Sequence, residues 1–548
     1  MHHRKGWSLP TLRLVSCGWG AYSLGMKKMV ATFMVFGLLI ACAAPVSAEQ
    51  KRTVWDMDRL STLPADQVRA LFGFTALTSI QDDYSWTTEI AGTNSFQAVL
   101  APCSNIAKVD MAFTTCIETL SHRKSGSTSW QSATLSKVQL GEPTTTIVKG
   151  NIVVGPMKFE YDDKNFRPGG DKATLWSMPG SPHSAGKDYL LRVRLFGSTN
   201  TYGQFKFKSE LMPTSYPSNN GTVTQDKLLV EEFPKGFEYK VRLRMGVFIK
   251  TLTGWFFGRI ANPTIDRNGP EGYLEITGEP AFVPVGISGD IPVASADPYF
   301  DPTWCAEVRA KTNGPCGSIN RLYNKAFTFS NEEGWQPDSL GRWESAPGGV
   351  RTVATLSSWS LDSTFFYQMA SDSSAVKCIA DVYGYSANAR IFHGAVFSNA
   401  SMFQTSPPEW DATSNSFVFK VASPHLDEKG VANKGFYTLY LPTEMAKCRW
   451  GDAISSARAE VQIVNSDGKA SITTLAATVE DGNLRFSLSG FGYSSPTIKI
   501  RMGKDIKAPV SETVTKRSIA IKCVKGKAVK KVVGVKPICP SGYKKTAT

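Results

Sequence analysis

The sequence lacks the residue spacings that carry most enzyme chemistry. There is no Gly-x-Ser-x-Gly, so the nucleophile turn of the common exported esterases is missing, and no Gly-x-x-x-x-Gly-Lys-Ser/Thr loop to cradle a phosphate. Histidine is scarce, with six in 548 residues. Beyond residue 48 only His122, His183, His393 and His425 remain, far apart and without the His-x-x-x-His spacing that sets two metal ligands on one helical face. No Cys-x-x-Cys occurs, which argues against a zinc ribbon or a thioredoxin-like site. Asp266-Arg267-Asn268-Gly269 opens like a calcium loop, but Pro270 follows and the later glutamate is absent, so a turn is expected. No residue is assigned to catalysis, to a cofactor or to a metal.

Long apolar runs are missing too. The run from Met29 to Ile40 falls short of the roughly 20 residues that a helix needs to cross a bilayer. Met26-Lys27-Lys28 precedes it and Pro45-Val46-Ser47-Ala48 follows, which is the charge, hydrophobe and small-residue order of a secretory signal. Residues 1–48 therefore read as a leader whose working start is Met26, with no transmembrane span in the mature chain. Cleavage is expected before Glu49. Leu39-Ile40-Ala41-Cys42 offers the alternative, a lipobox with Cys42 lipidated.

Export sets the redox setting. Eight cysteines of the mature part fall into neighbouring pairs, and structural disulfides Cys103–Cys116, Cys305–Cys316, Cys378–Cys448 and Cys523–Cys539 are the simplest connectivity. Closing a loop of about 15 residues stabilises by roughly 3 kcal/mol through the unfolded state.

The net charge of +14 is unevenly placed: +5 sits in residues 1–48 and +10 in residues 515–548, neither of which holds an acid, so the body is close to neutral. A nucleic-acid-binding domain would stripe its cations over a folded face, and none is expected here. Lys525, Lys527, Lys530, Lys531, Lys544 and Lys545 in the tail are candidate contacts to an anionic cell-wall polymer.

Strand signals dominate. Leu191-x-Val193-x-Leu195, Leu484-x-Phe486-x-Leu488, Ile498-x-Ile500-x-Met502 and an eleven-position alternation from Tyr239 to Ile249 all have the period of two of a half-buried strand. Ser466-Asp467-Gly468 and Asp481-Gly482 read as hairpin turns. One helix is expected near the start, capped by Ser61 or Thr62, running from Pro64 to Leu71 and ended by Gly73. The fold class is all-β, mainly antiparallel: tandem β-sandwich or jelly-roll-like domains, one short N-terminal helix and a small C-terminal hairpin. Composition places an N-terminal β region at 49–290, a connecting segment at 291–349, a C-terminal β-sandwich at 350–505 and the basic tail at 506–548. In the tail, the strand through Ile519, Ile521 and Cys523 should turn at Lys525-Gly526-Lys527 and return, stapled by Cys539.

Trp176-x-x-Pro179-Gly180-x-Pro182-His183, Gly254-Trp255-Phe256-x-Gly258-Arg259, Pro407-Pro408-x-Trp410-Asp411, Ser423-Pro424-His425 and Ser494-Ser495-Pro496-Thr497-Ile498 resemble motifs of large, uncharacterised exported β-rich proteins of actinobacteria. The tail, with Cys523-Val524-Lys525-Gly526-Lys527 and Cys539-Pro540-x-Gly542-Tyr543-Lys544, resembles a short basic two-cysteine module at the end of many exported proteins of that phylum. The resemblance implies a Gram-positive source and a secreted or cell-surface location, and names no activity.

The repeated Ser-Pro-His, at Ser181-Pro182-His183 and Ser423-Pro424-His425, reads as a loop fixed by proline with the imidazole on a carbonyl. Asn220-Gly221-Thr222 and Asn399-Ala400-Ser401 fit the glycosylation triplet, an accident in a bacterial protein. The expected function is a non-enzymatic structural or interaction role at the cell envelope. The alternatives are a carbohydrate-binding protein using exposed Trp255, Trp335 or Trp410 on a surface glycan, and a glycan hydrolase with two carboxylates.

Overall fold

The computed structural model describes residues 67–73, 88–90, 95–106, 114–141, 147–148, 151–154, 158, 168–198, 205–216, 222–223, 228–250, 252, 254–268, 272–292, 351–363, 392–404, 408–427, 429–456, 458–464, 470–480, 482–493, 496–503, 519–525, 528–534, 539 and 542–545. These are overwhelmingly strands, almost all paired antiparallel, as the alternating pattern predicts.

The first half builds two sets of strands around one core. One set is β2 (Ser95–Val99), β5 (Asp188–Ser198), β6 (Phe205–Ser215), β11 (Arg351–Ser363) and β8 (Gly254–Gly258), hydrogen-bonded in that order. The other is β3 (Cys116–Lys124), β7 (Phe237–Arg244), β10 (Tyr273–Pro292) and β9 (Ile260–Asn268). Leu191, Val193 and Leu195 from the first set and Tyr239, Val241 and Leu243 from the second belong to the same apolar cluster, because alternate residues of each strand point the same way.

One long strand links the two sets. β10 pairs with β7 up to Gly278 and with β11 from Ala281 onward. The switch requires a glycine: Gly278 has φ +153, and a Cβ there would lie 2.3 Å from the Ile260 side chain and 2.7 Å from the Ala261 carbonyl oxygen. The Trp359 indole N–H donates to the Gly278 carbonyl at 3.1 Å and holds the corner from the β11 side.

Three expectations are corrected here. The helix over 64–71 is not formed: Gln67–Gly73 is a strand, β1, laddered along β10 from Pro292 to Gly286. Val285–Pro292, with linker composition, is the far end of β10 itself. The Tyr239–Ile249 alternation stops at Arg244, because the Met245 and Gly246 amides both donate to the Gly272 carbonyl (2.6 and 2.9 Å) and a 3-10 turn, Gly246–Lys250, follows.

The second half repeats the two-set arrangement. β12 (Phe392–Ser398), β14 (Lys434–Pro442), β18 (Asn483–Gly492) and β17 (Thr478–Glu480) form one set. β13 (Ser416–Ala422), β19 (Thr497–Met502), β15 (Arg458–Val464) and β16 (Ala470–Ala476) form the other. Leu439 and Phe486 of the former meet Phe419, Val461 and Ile500 of the latter in a second cluster. The single α-helix among the described residues, α1 (Thr443–Trp450), adds Met445, Ala446 and Trp450 to that core and ends at Gly451, φ +56.

The boundary read at residue 350 does not separate two sheets. β8 pairs antiparallel with β11 on one side and parallel with β12 on the other, so a single sheet runs through both halves. Neighbouring residues of β8 therefore serve different cores: Phe256 lies in the first cluster and Trp255 in the second. Phe257 stacks on Phe419 (6.1 Å), and Gly258 leaves room for Phe397, which a Cβ would meet at 2.3 Å. The buried Arg259 guanidinium donates to the carbonyls of Ala400 and Ser401 (2.9 Å for the latter). The Gly-Trp-Phe-x-Gly-Arg motif is the seam of the molecule.

The tail forms its own small sheet. β20 (Ile519–Lys525) pairs with β21 (Ala528–Gly534), as the sequence suggests, and β22 (Lys544–Lys545) adds on the other side of β20.

Candidate functional site

The two aromatic candidates for a glycan among the described residues, Trp255 and Trp410, present no open ring face. Trp255 is 2 % exposed within the second core and presents no face to a sugar, which corrects the expectation of an exposed ring. Trp410 is half-buried, edge-on to Phe417 (5.1 Å) and Trp450 (5.9 Å), with the Arg449 guanidinium 4.9 Å from its ring. Trp335 lies outside the described residues. A run of aromatics signals burial and exposure equally well, and only the parallel pairing of β8 decides between them.

Both Ser-Pro-His loops are structural. Ser181 Oγ lies 2.8 Å from the Tyr239 hydroxyl, Tyr189 donates to the Ser181 carbonyl at 2.6 Å, and His183 Nε2 lies 3.0 Å from the Asp188 carbonyl oxygen. Burial lowers the His183 pKa against the smaller opposing pull of that carbonyl and of Glu231 and Asp188. In the second loop Ser423 Oγ meets Ser401 Oγ at 2.7 Å and His425 Nδ1 bonds the Tyr493 carbonyl. Asn399 of the glycosylation triplet is buried and fully used: Nδ2 donates to the Phe282 and Lys434 carbonyls, and Oδ1 accepts from the Phe436 amide and the Tyr493 hydroxyl. It is a joint between the halves and no acceptor for a sugar.

Disulfides Cys103–Cys116 and Cys523–Cys539 are present. Cys448 is disulfide-bonded, while Cys305, Cys316 and Cys378 lie outside the described residues. Cys523 is fully buried in the tail sheet, where a two-stranded hairpin alone would be marginal. Around it Lys525, Lys530 and Lys544 are exposed, and the Lys530 ammonium sits 5.4 Å from the Tyr543 ring. Lys531 pairs with Lys522, and Lys545 with Cys523, in the backbone ladder. Lys527 lies outside the described residues.

Sequence reasoning missed a second charged feature, a row across β5, β6 and β11. Arg192 faces Glu210, Arg194 faces Lys208 and Lys208 faces Asp362 in the ladders. Arg192 and Arg194 are 1 % and 3 % exposed, and each places Nη2 2.9 Å from Glu210 Oε2. Lys208 Nζ lies 3.0 Å from the other oxygen, Oε1. Burial pushes the Glu210 carboxyl up, but Arg192, Lys208 and Arg194 outweigh it and hold it far below the usual carboxylate range. At Asp362 the balance reverses: burial raises the pKa more than Lys208 lowers it, and Oδ1 is enclosed with no hydrogen-bond partner. Along β5 these charges alternate with Leu191, Val193 and Leu195, and along β6 with Phe207, Ser209 and Leu211, which is how a solvent-facing side also reads.

No protein-family model, no curated protein and no solved structure matches this chain.

Proposed function

We propose that this is an exported β-rich surface protein of a Gram-positive cell envelope, with a structural or interaction role and no catalytic one. Its leader is residues 1–48 and its mature chain begins at Glu49. The tail sheet holds the chain to an anionic cell-wall polymer. The observation that carries this reading is the stapled tail: residues 515–548 hold ten Lys and Arg and no acid, and six of these cations lie on the strands of a disulfide-linked three-stranded sheet, attached to a nearly neutral body. A rigid support keeps exposed ammonium groups close together, and their summed field attracts a polyanion through screened Coulomb forces. The glycan reading has less support, since Trp255 is buried and Trp410 is engaged by its neighbours. The hydrolase reading needs two carboxyls beside a groove, whereas Glu210 is held by three cations.

Cell fractionation tests the proposal. Deleting residues 515–548 is expected to move the protein from the wall fraction to the medium, and washing wild-type cells with concentrated salt is expected to do the same. Undiminished wall retention of the deleted chain would remove the tail from the account.

A further inference from the structure

We propose that Lys208 of β6 and Asp362 of β11 are joined by an intramolecular isopeptide bond, with Glu210 positioning the lysine nitrogen. The two residues stand directly opposite each other in the antiparallel ladder, where facing Cβ atoms are about 5 Å apart. That span suits a long lysine bonded to a short aspartate. The Lys208 side chain is 17 % exposed and that of Glu210 12 %. Asp362 Oδ1 is enclosed and makes no hydrogen bond, so one acceptor of the carboxyl opposite Lys208 in the ladder is left unsatisfied.

The supporting groups are oriented for the step. Arg192 and Arg194 both close on Glu210 Oε2, which leaves Oε1 directed at the Lys208 ammonium at 3.0 Å. Burial outweighs the cations at Asp362 and favours its neutral acid, the electrophilic form; an ionised carboxylate resists attack by an amine. Lys208 loses one proton to solvent, which reaches its 17 % exposed side chain. The neutral Nζ attacks Asp362 Cγ, a C–N bond forms, the C–OH bond breaks, and the hydroxyl leaves as water with a proton taken from the attacking nitrogen. No oxidant or cofactor is consumed.

Burial by itself would lower the Lys208 pKa, but Glu210 and Asp362 outweigh it and favour the ammonium form, so the reactive amine is a minor species. A bond made once per chain needs no rapid turnover. The product ties together two strands separated in sequence by residues 216–350.

The test uses the full exported chain, reduced and unfolded, with its N-terminus determined. Wild type is expected to be lighter than its sequence by one water. Trypsin should fail to cut after Lys208, and a branched peptide should link Lys208 to the segment holding Asp362. Lys208→Arg keeps a cation against Glu210 yet cannot condense, and Asp362→Ala removes the electrophile; both should show full mass and no branched peptide. Wild type at full mass with ordinary cleavage after Lys208 overturns the proposal, with no need for either variant to fold. A branched peptide surviving Asp362→Ala overturns the assigned partner. Wall retention through the tail is independent of both outcomes.

Discussion

Replacing Trp255 with alanine is expected to destabilise the chain by about 4 kcal/mol, the range for truncating a large buried aromatic. The side chain fills the second core from a strand whose next residue, Phe256, fills the first. Its indole is packed so closely against β12 that a Cβ on Gly394 would lie 2.6 Å from a ring carbon. The surroundings cannot collapse into the space, because β8 is fixed by backbone ladders to β11 and to β12. Trp410→Ala, by contrast, removes a half-buried ring and should cost much less. Urea titration of the three proteins checks the order. A Trp255→Ala variant as stable as wild type would return the residue to the surface and reopen the glycan reading.

Glu210→Gln should be comparably severe, at about 3–5 kcal/mol, because it withdraws the carboxylate on which two deeply buried guanidiniums close. Its pH dependence has a definite sign. Glu210 is depressed in the folded state below its ordinary value of 4.5, so its contribution is complete above that value and is lost as pH falls through the folded pKa. The gap between wild type and variant should therefore be widest near neutrality and narrow in acid. Denaturant midpoints of both proteins from pH 7 downward measure it, and a gap that widened in acid would contradict the assignment of the cations as its cause.

The sequence makes the local pattern legible and the long-range geometry much less so. Leu191, Val193 and Leu195 mark a strand because alternation is a property of neighbouring residues, and the tail hairpin with Cys523–Cys539 is local as well. The misread helix at 64–71 shows the limit: proline and glycine signals there favour a helix, but the ladder that decides the matter runs to residues 286–292. Glycine and proline near 285–292 suggested a linker, although these residues continue a long strand that changes partners at Gly278. The ionic row is hidden for a related reason. Arg192, Arg194, Lys208 and Glu210 look like the wet side of two strands until the ladders set them side by side, with both arginines buried and Lys208 and Glu210 half-buried.

Binding of the purified mature chain to isolated cell walls, followed as salt is raised, tests the envelope assignment most directly. The full chain should sediment with walls at low ionic strength and be released as the Debye length falls from about 10 Å at 0.1 M towards about 3 Å at 1 M, while the chain lacking residues 515–548 should stay in solution throughout. A shortened chain that sediments as well as the full one, or a full chain still bound at the highest salt, would contradict it.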